Sequence, residues 1–146
     1  MTDPDHLEVD AMKELYTTEL SGEVFYNAIA DRVSDERAAE LLRRNGREEA
    51  GHARRLGRAL TIKLGTPFEP TAEMLTLPPL GLPEPLDPVR FLRRLVQGEL
   101  DGDLGYQRWA DNEPDPEVER LLRLNGREES IHSARVTEAI AILTST

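Results

Sequence analysis

Residues 45–54 read NGREEAGHAR, and residues 125–135 read NGREESIHSAR. Sliding the chain against itself by 80 residues aligns Lys13–Leu64 with Arg93–Thr144 without a gap, and 20 of these 52 positions are identical. The identities include Leu15/Leu95, Glu19/Glu99, Gly22/Gly102, Tyr26/Tyr106, Asn45/Asn125, Glu49/Glu129 and His52/His132. Two copies are too few for a solenoid, which needs at least three to bury a continuous core. The repeat therefore predicts a duplicated helical hairpin closing into one bundle, a single domain over residues 1–146.

Each copy carries helical periodicity. Met12, Leu15, Tyr26, Ala30 and Val33 fall on one stripe, and Ala38, Leu42, Leu56 and Leu60 on another. Ser34 or Asp35 offers an N-cap for the second helix, and Pro114 and Pro116 suit a helix start better than an interior. Helices are predicted near 5–33, 35–64, 88–112 and 116–143, giving hairpin 1 over 5–64 and hairpin 2 over 88–144. Between them, residues 65–87 hold six of the ten prolines and cannot be helical. A 30-residue helix is about 45 Å long, and a linker of this size reaches about 75 Å when extended. It can start the third helix at the far end of the bundle, which predicts an up-down-down-up order with the hairpins related by a pseudo-twofold axis. Phe68, Met74, Leu75, Leu77, Leu80 and Leu82 of the linker are expected to lie against the bundle.

Glu49 and His52 stand three apart, so both project from one face of the second helix, and that face is its apolar stripe. Glu129 and His132 repeat the arrangement. Glu19 shares a face with Met12, Leu15 and Tyr26, and Glu99 shares one with Leu92, Leu95 and Tyr106. Four carboxylates and two imidazoles thus point into one core. Unpaired buried carboxylates are costly, and two divalent cations remove the cost. Carboxylate oxygen with imidazole nitrogen suits iron, manganese or zinc. Glu48 and Glu128 turn about 100° from this face and read as solvated, as does His6. Glu23 and Asp103, one turn beyond Glu19 and Glu99, are left open as alternative or additional ligands, the Glu/Asp difference favouring the invariant pair Glu19 and Glu99. Tyr26 and Tyr106 read as core packing or as groups beside the metal site. Asn45 and Asn125 read as partners of a ligand carboxylate or of the helix turn. The glycines at 46 and 126 have no account at this stage.

The pattern resembles the ferritin-like di-iron carboxylate superfamily, in which two helices each give a Glu and two give Glu-x-x-His. The Glu-x6-Tyr spacing, seen at Glu19–Tyr26 and Glu99–Tyr106, is similar to that of ferritin and rubrerythrin-type sequences. ELSGEVFYNAIAD followed by NGREEAGHA resembles the encapsulated ferritins, which have one hairpin per chain and build the site between two subunits. This chain resembles two such halves fused. The resemblance implies terminal carboxylates at Glu19 and Glu99, bridging carboxylates at Glu49 and Glu129, and imidazole ligands at His52 and His132. It also implies Fe(II) oxidation by oxygen or peroxide. The chain ends AIAILTST, without the targeting tail of encapsulin cargo, which counts against capture in such a shell. It also lacks a Cys-rich rubredoxin domain, so a rubrerythrin-like peroxidase would need an external electron donor.

Composition narrows the alternatives. There is no cysteine, hence no disulfide, thiolate metal site or iron–sulfur cluster. The net charge of −10 argues against nucleic acid as a partner. No apolar run approaches the roughly 20 residues that span a bilayer, and the acidic N-terminus shows no secretory signal. A cytoplasmic protein is expected, with association into homo-oligomers left open. The leading functional expectation is a ferroxidase-type di-iron enzyme. The alternatives are a peroxide-reducing relative, a bundle that holds metal without turnover, or a bundle that only mediates protein association.

Overall fold

The computed structural model describes residues 3–145; Met1, Thr2 and Thr146, at the ends of the expected domain, lie outside the described residues. The described chain forms four α-helices and no strand: α1 (Val9–Ala30), α2 (Glu36–Leu64), α3 (Pro88–Asp111) and α4 (Pro116–Thr144).

The starts of three helices follow from aspartate caps. The Asp35 carboxylate accepts from the amide of Arg37, Asp87 from that of Arg90, and Asp115 from those of Glu117 and Val118. Each satisfies amides that have no partner inside the helix. Pro88 and Pro116 follow directly, where a missing N–H costs nothing. At the other end of α2, Gly65 takes a left-handed φ of 73° and closes the helix.

Helix α1 is shorter than the expected 5–33 at both ends. Its beginning is displaced because Asp3 makes a turn of its own, accepting the amide of Asp5 on its side chain and that of His6 on its carbonyl. Its end tightens into a turn in which the Arg32 amide bonds the carbonyl of Ile29. His6 is half-buried and pairs with Glu8 at 2.9 Å, not merely solvated.

Helices α1 and α2 pack together, as do α3 and α4, and α2 packs on α4. Two apolar clusters hold the bundle. One gathers Met12 of α1, Leu56 and Leu60 of α2, Tyr106 and Ala110 of α3, and Val118 and Leu122 of α4. The other gathers Tyr26 and Ile29, Ala38 and Leu42, Leu92, and Val136 and Ala139. The linker touches both: Phe68 packs with the first cluster and Leu82 and Leu86 with the second. Thr17 donates to the carbonyl of Met74, fixing the middle of the linker to α1. Phe68, Met74, Leu77 and Leu82 are partly buried as expected, but Leu75 and Leu80 are exposed, because the proline-rich path turns their side chains outward. A partly buried ion pair, Lys63 with Glu113 at 2.9 Å, ties the end of α2 to the α3–α4 turn. No described helix is long and apolar enough to cross a membrane.

Candidate metal centre

Along every helix the predicted donors fall between residues of the two apolar clusters. Glu19 follows Met12 and precedes Tyr26, and Glu49 and His52 lie between Leu42 and Leu56. The second copy does the same. Glu19, Glu49, Glu99 and Glu129 are 5–9% exposed, and both imidazoles are fully buried.

These six residues form two overlapping groups. Glu19, Glu49, His52 and Glu129 each offer one ligand atom within 4.8 Å of the others, and so do Glu49, Glu99, Glu129 and His132. Glu49 and Glu129 belong to both. His52 turns Nδ1 inward, 3.1 Å from Glu129 and 3.3 Å from Glu19. His132 turns Nδ1 to 2.9 Å from Glu49 and 3.7 Å from Glu99. The two rings stack at 5.2 Å with 16° between their planes. Neither Glu23 nor Asp103 joins these groups; Asp103 instead accepts from Ser130 and Gln107.

The contacts around the donors come in reciprocal pairs. The Tyr106 hydroxyl donates to Glu19 at 2.6 Å, and the Tyr26 hydroxyl donates to Glu99. Each tyrosine thus braces the carboxylate of the other repeat copy. The Asn45 side chain donates to the carbonyl of His132, and that of Asn125 to the carbonyl of His52, stitching α2 to α4. Their partners are thus neither ligand carboxylates nor their own helix turn.

Glu48 and Glu128 require a correction. Neither is a solvated bystander. Glu128 sits 3.0 Å from His52 Nε2 and 2.7 Å from Arg55, and Glu48 sits 3.2 Å from His132 Nε2 and 2.8 Å from Arg135. The rotation from the core face points them across the α2–α4 seam, where the partner helix buries them in part. A carboxylate on Nε2 holds the proton there and turns Nδ1 inward, the atom that a metal would take once any proton on it is displaced. The repeat of Glu48 at Glu128 was the available signal; an intra-helix view could not show which helix each would face.

Charge in the metal-free site follows from burial. Burial drives the Glu49 carboxyl well above its usual range, with the hydrogen bond to Glu19 and nearby negative charge adding to it. Burial, aided by Glu99 and Glu19 and resisted by His52, pushes Glu129 up to about 9. For Glu19, burial is outweighed by hydrogen bonds from Glu49, His52 and Tyr106, so it lies low. Glu99 lies low for like reasons, through His132, Glu129 and Tyr26. Each Glu pair within a repeat copy thus shares a proton. Burial opposes charge on His52, but Glu128, Glu129 and Glu19 together push it up to about 11. Both tyrosines remain protonated donors, because burial and the neighbouring carboxylates raise them well above their usual value.

Two buried atoms of the site, Glu99 Oε2 and His132 Nδ1, make no well-aligned hydrogen bond, although Nδ1 lies 2.9 Å from a Glu49 oxygen. Buried polar atoms left in that state are rare and costly, and both belong to residues of the donor groups. The residues fit a metal: the buried Glu/His groups could hold an ion, with oxygen and nitrogen donors and a supporting shell in place. The fold and site define an all-α bundle with a buried carboxylate–imidazole cluster. No family model matches the chain, and comparison with curated proteins and with solved structures gives no significant match.

Proposed function

We propose that this chain is a ferritin-like di-iron oxidoreductase that takes Fe(II) as substrate and oxidises it with oxygen or peroxide. In this reading α1 and α4 run one way and α2 and α3 the other, and a pseudo-twofold axis relates the hairpins. The make-up of the apolar clusters supports that order. One unites the beginnings of α1 and α4 with the ends of α2 and α3, and the other unites the converse. The reciprocal Tyr–Glu, Asn–carbonyl and His–Glu contacts support the axis.

One observation carries the functional reading: two buried four-donor groups that share Glu49 and Glu129. A shared pair of carboxylates is what a dinuclear centre needs, with Glu19 and His52 completing one half and Glu99 and His132 the other. Bound there, two ferrous ions supply two electrons, enough with two protons to convert one hydrogen peroxide to two waters, or one oxygen to hydrogen peroxide.

The chain's own groups do the rest. Tyr106 and Tyr26 hold Glu19 and Glu99 in place. Glu128 and Glu48 hold the imidazoles with Nδ1 inward. The protons on Glu49, Glu129 and His52 are displaced as cations bind, so binding releases protons. The two apolar clusters keep water from the ends of the site. With no cysteine in the chain, repeated peroxide reduction would draw electrons from an external donor.

The test is anaerobic loading with Fe(II), followed by mixing with oxygen or with peroxide. We expect two irons per chain and Fe(III) formation well above the buffer blank. Both should be lost in the Glu49→Ala/Glu129→Ala double variant. Stoichiometric binding without faster oxidation would leave a metal-holding bundle, and failure to bind would sink both readings.

A further inference from the structure

The repeat breaks along one stripe of α3. Gly98 and Gly105 stand where the first copy has Thr18 and Phe25. A glycine inside a helix costs roughly 1 kcal/mol against alanine, so two in one helix call for a reason. Backbone conformation gives none, since the positive-φ glycines are Gly65 and Gly81. Packing gives none either, because a Cβ at 98 or 105 would meet nothing within 4 Å. Gly22, Gly46, Gly102 and Gly126, by contrast, each have an atom within 3.2 Å of the Cβ they lack. What Gly98 and Gly105 provide is open space.

That space is a groove of about 350 Å³ between α1 and α3. Its floor is formed by Glu19, Glu49, Glu99 and Glu129, and Leu15, Phe25, Leu95 and Trp109 stand along its walls. Glu99, whose buried Oε2 lacks a hydrogen-bond partner, is part of the floor. The opposite face of the site is closed. There the Nε2 edges of both histidines are capped by Glu128 and Glu48, each held by an arginine. The hollow over that face is lined by Arg44, Arg47, Arg54 and Arg55 with Glu48 and Glu128, so positive charge is in excess there. Positive charge there repels a divalent cation, whereas the carboxylates under the groove attract one.

We infer that the α1–α3 groove is the route by which small divalent cations, and the small oxidant after them, reach the donors, and that Gly98 and Gly105 keep it open. This rests on the metal-binding reading above. The route admits a cation shedding water and a molecule the size of oxygen or peroxide.

The test fills the groove without touching a donor. Gly98→Leu and Gly105→Leu, singly and together, put a good helix former into open space, and an alanine series at the same positions gives milder steps. Gly51→Leu fills the arginine-lined hollow instead, where the nearest atom to an added Cβ is an Arg54 guanidinium nitrogen at 3.5 Å. Co(II) binding is followed by stopped-flow visible absorbance, with final stoichiometry from metal analysis and folding from circular dichroism. We expect the double leucine variant to bind Co(II) about tenfold or more slowly than wild type, with unchanged stoichiometry. The alanine variants should fall between, and Gly51→Leu should bind at the wild-type rate. Equal rates in wild type and the double variant would overturn the route, as would slowing by Gly51→Leu alone. If the double variant does not fold, an alanine series without graded slowing overturns it. Wild type that takes up no Co(II) would overturn the metal reading itself, a result separable from the others.

Discussion

Gly22 and Gly102 lie against the two carboxylates shared by the donor groups. A Cβ on Gly22 would stand 2.8 Å from Glu49 Oε2, and one on Gly102 would stand 3.1 Å from Glu129 Oε2. Because the obstructing atoms end a flexible side chain, the fold can tolerate the methyl while the carboxylate moves. We therefore predict that Gly22→Ala keeps or gains stability, up to about 1 kcal/mol from helix propensity, yet binds metal more weakly. Titration with Fe(II) or Co(II) checks it, and Gly102→Ala should show a smaller loss because its contact is looser. A second prediction concerns Glu128, which the His52 hydrogen bond and Arg55 hold at about 2 despite partial burial. Glu128→Gln leaves His52 a weaker acceptor and Arg55 without its charged partner, with Asn125 Oδ1 still accepting from it. Loss of such an outer partner costs roughly 10–100-fold in metal affinity, and isothermal titration would read it. Unchanged affinity would mean that the imidazole is oriented by packing alone.

The helices fit together through another pair of glycines. A Cβ at 46 would come within 3.2 Å of the Glu23 carbonyl and 3.3 Å of Tyr26 Cβ. At 126 it would come within 2.6 Å of Gln107 Nε2, 2.8 Å of Asp103 Oδ1 and 2.9 Å of Tyr106 Cβ. The polar ends could swing away, but Tyr106 Cβ moves only with α3. These glycines let each hairpin close tightly enough to bring its glutamates together. We predict that Gly126→Ala destabilises the protein by roughly 1–3 kcal/mol, the usual cost of overpacking, and by more than Gly46→Ala. Urea unfolding of both variants is the measurement. A stabilised Gly126→Ala protein would show that α3 and α4 have slack. Periodicity located all four helices from the sequence, and Asp35 capped α2 as one of two named candidates. The start of α1 was misplaced because a local Asp3 turn competes with the helix, a choice that apolar spacing does not register.

For the whole molecule, the site links stability to pH and metal. Glu129, at about 9 in the fold, and Glu49, also raised, stabilise the metal-free protein fully below the ordinary carboxylate value. That contribution is lost as pH rises through their folded values. His52, raised to about 11, acts in the same direction, with its contribution intact below 6.5. Glu19 and Glu99, which lie low, lose theirs only in acid. The metal-free protein should therefore melt at progressively lower temperature as pH rises above about 4.5, most steeply between about pH 6.5 and pH 9, where the carboxyl and imidazole losses overlap. On the metal-binding reading, a divalent ion would displace those protons and bind the folded chain alone, so it should raise the melting temperature and flatten the decline. Calorimetry with chelator and with added Co(II) tests both parts. A melting temperature indifferent to pH and to metal would contradict a buried donor cluster.

The sequence by itself determined the helices, the proline-rich linker between them and the six Glu and His residues that cluster in the core, because each depends on short-range spacing or on a repeat visible as text. Glu49 and His52 had to share a face, and the second copy made that face meaningful. Only the tertiary structure decided what the flanking residues do. Glu48 and Glu128 became partners of the imidazoles because α4 packs on α2 at one rotation, and Asn45 and Asn125 became stitches across the same seam. The repeated glycines gained their roles from neighbouring helices: 22 and 102 make room for carboxylates, and 46 and 126 for close packing. Gly98 and Gly105, where the repeat fails, leave the space that no other residue fills. Spacing within a helix fixes which side chains share a face, but which helix that face meets depends on contacts made from far away in the chain.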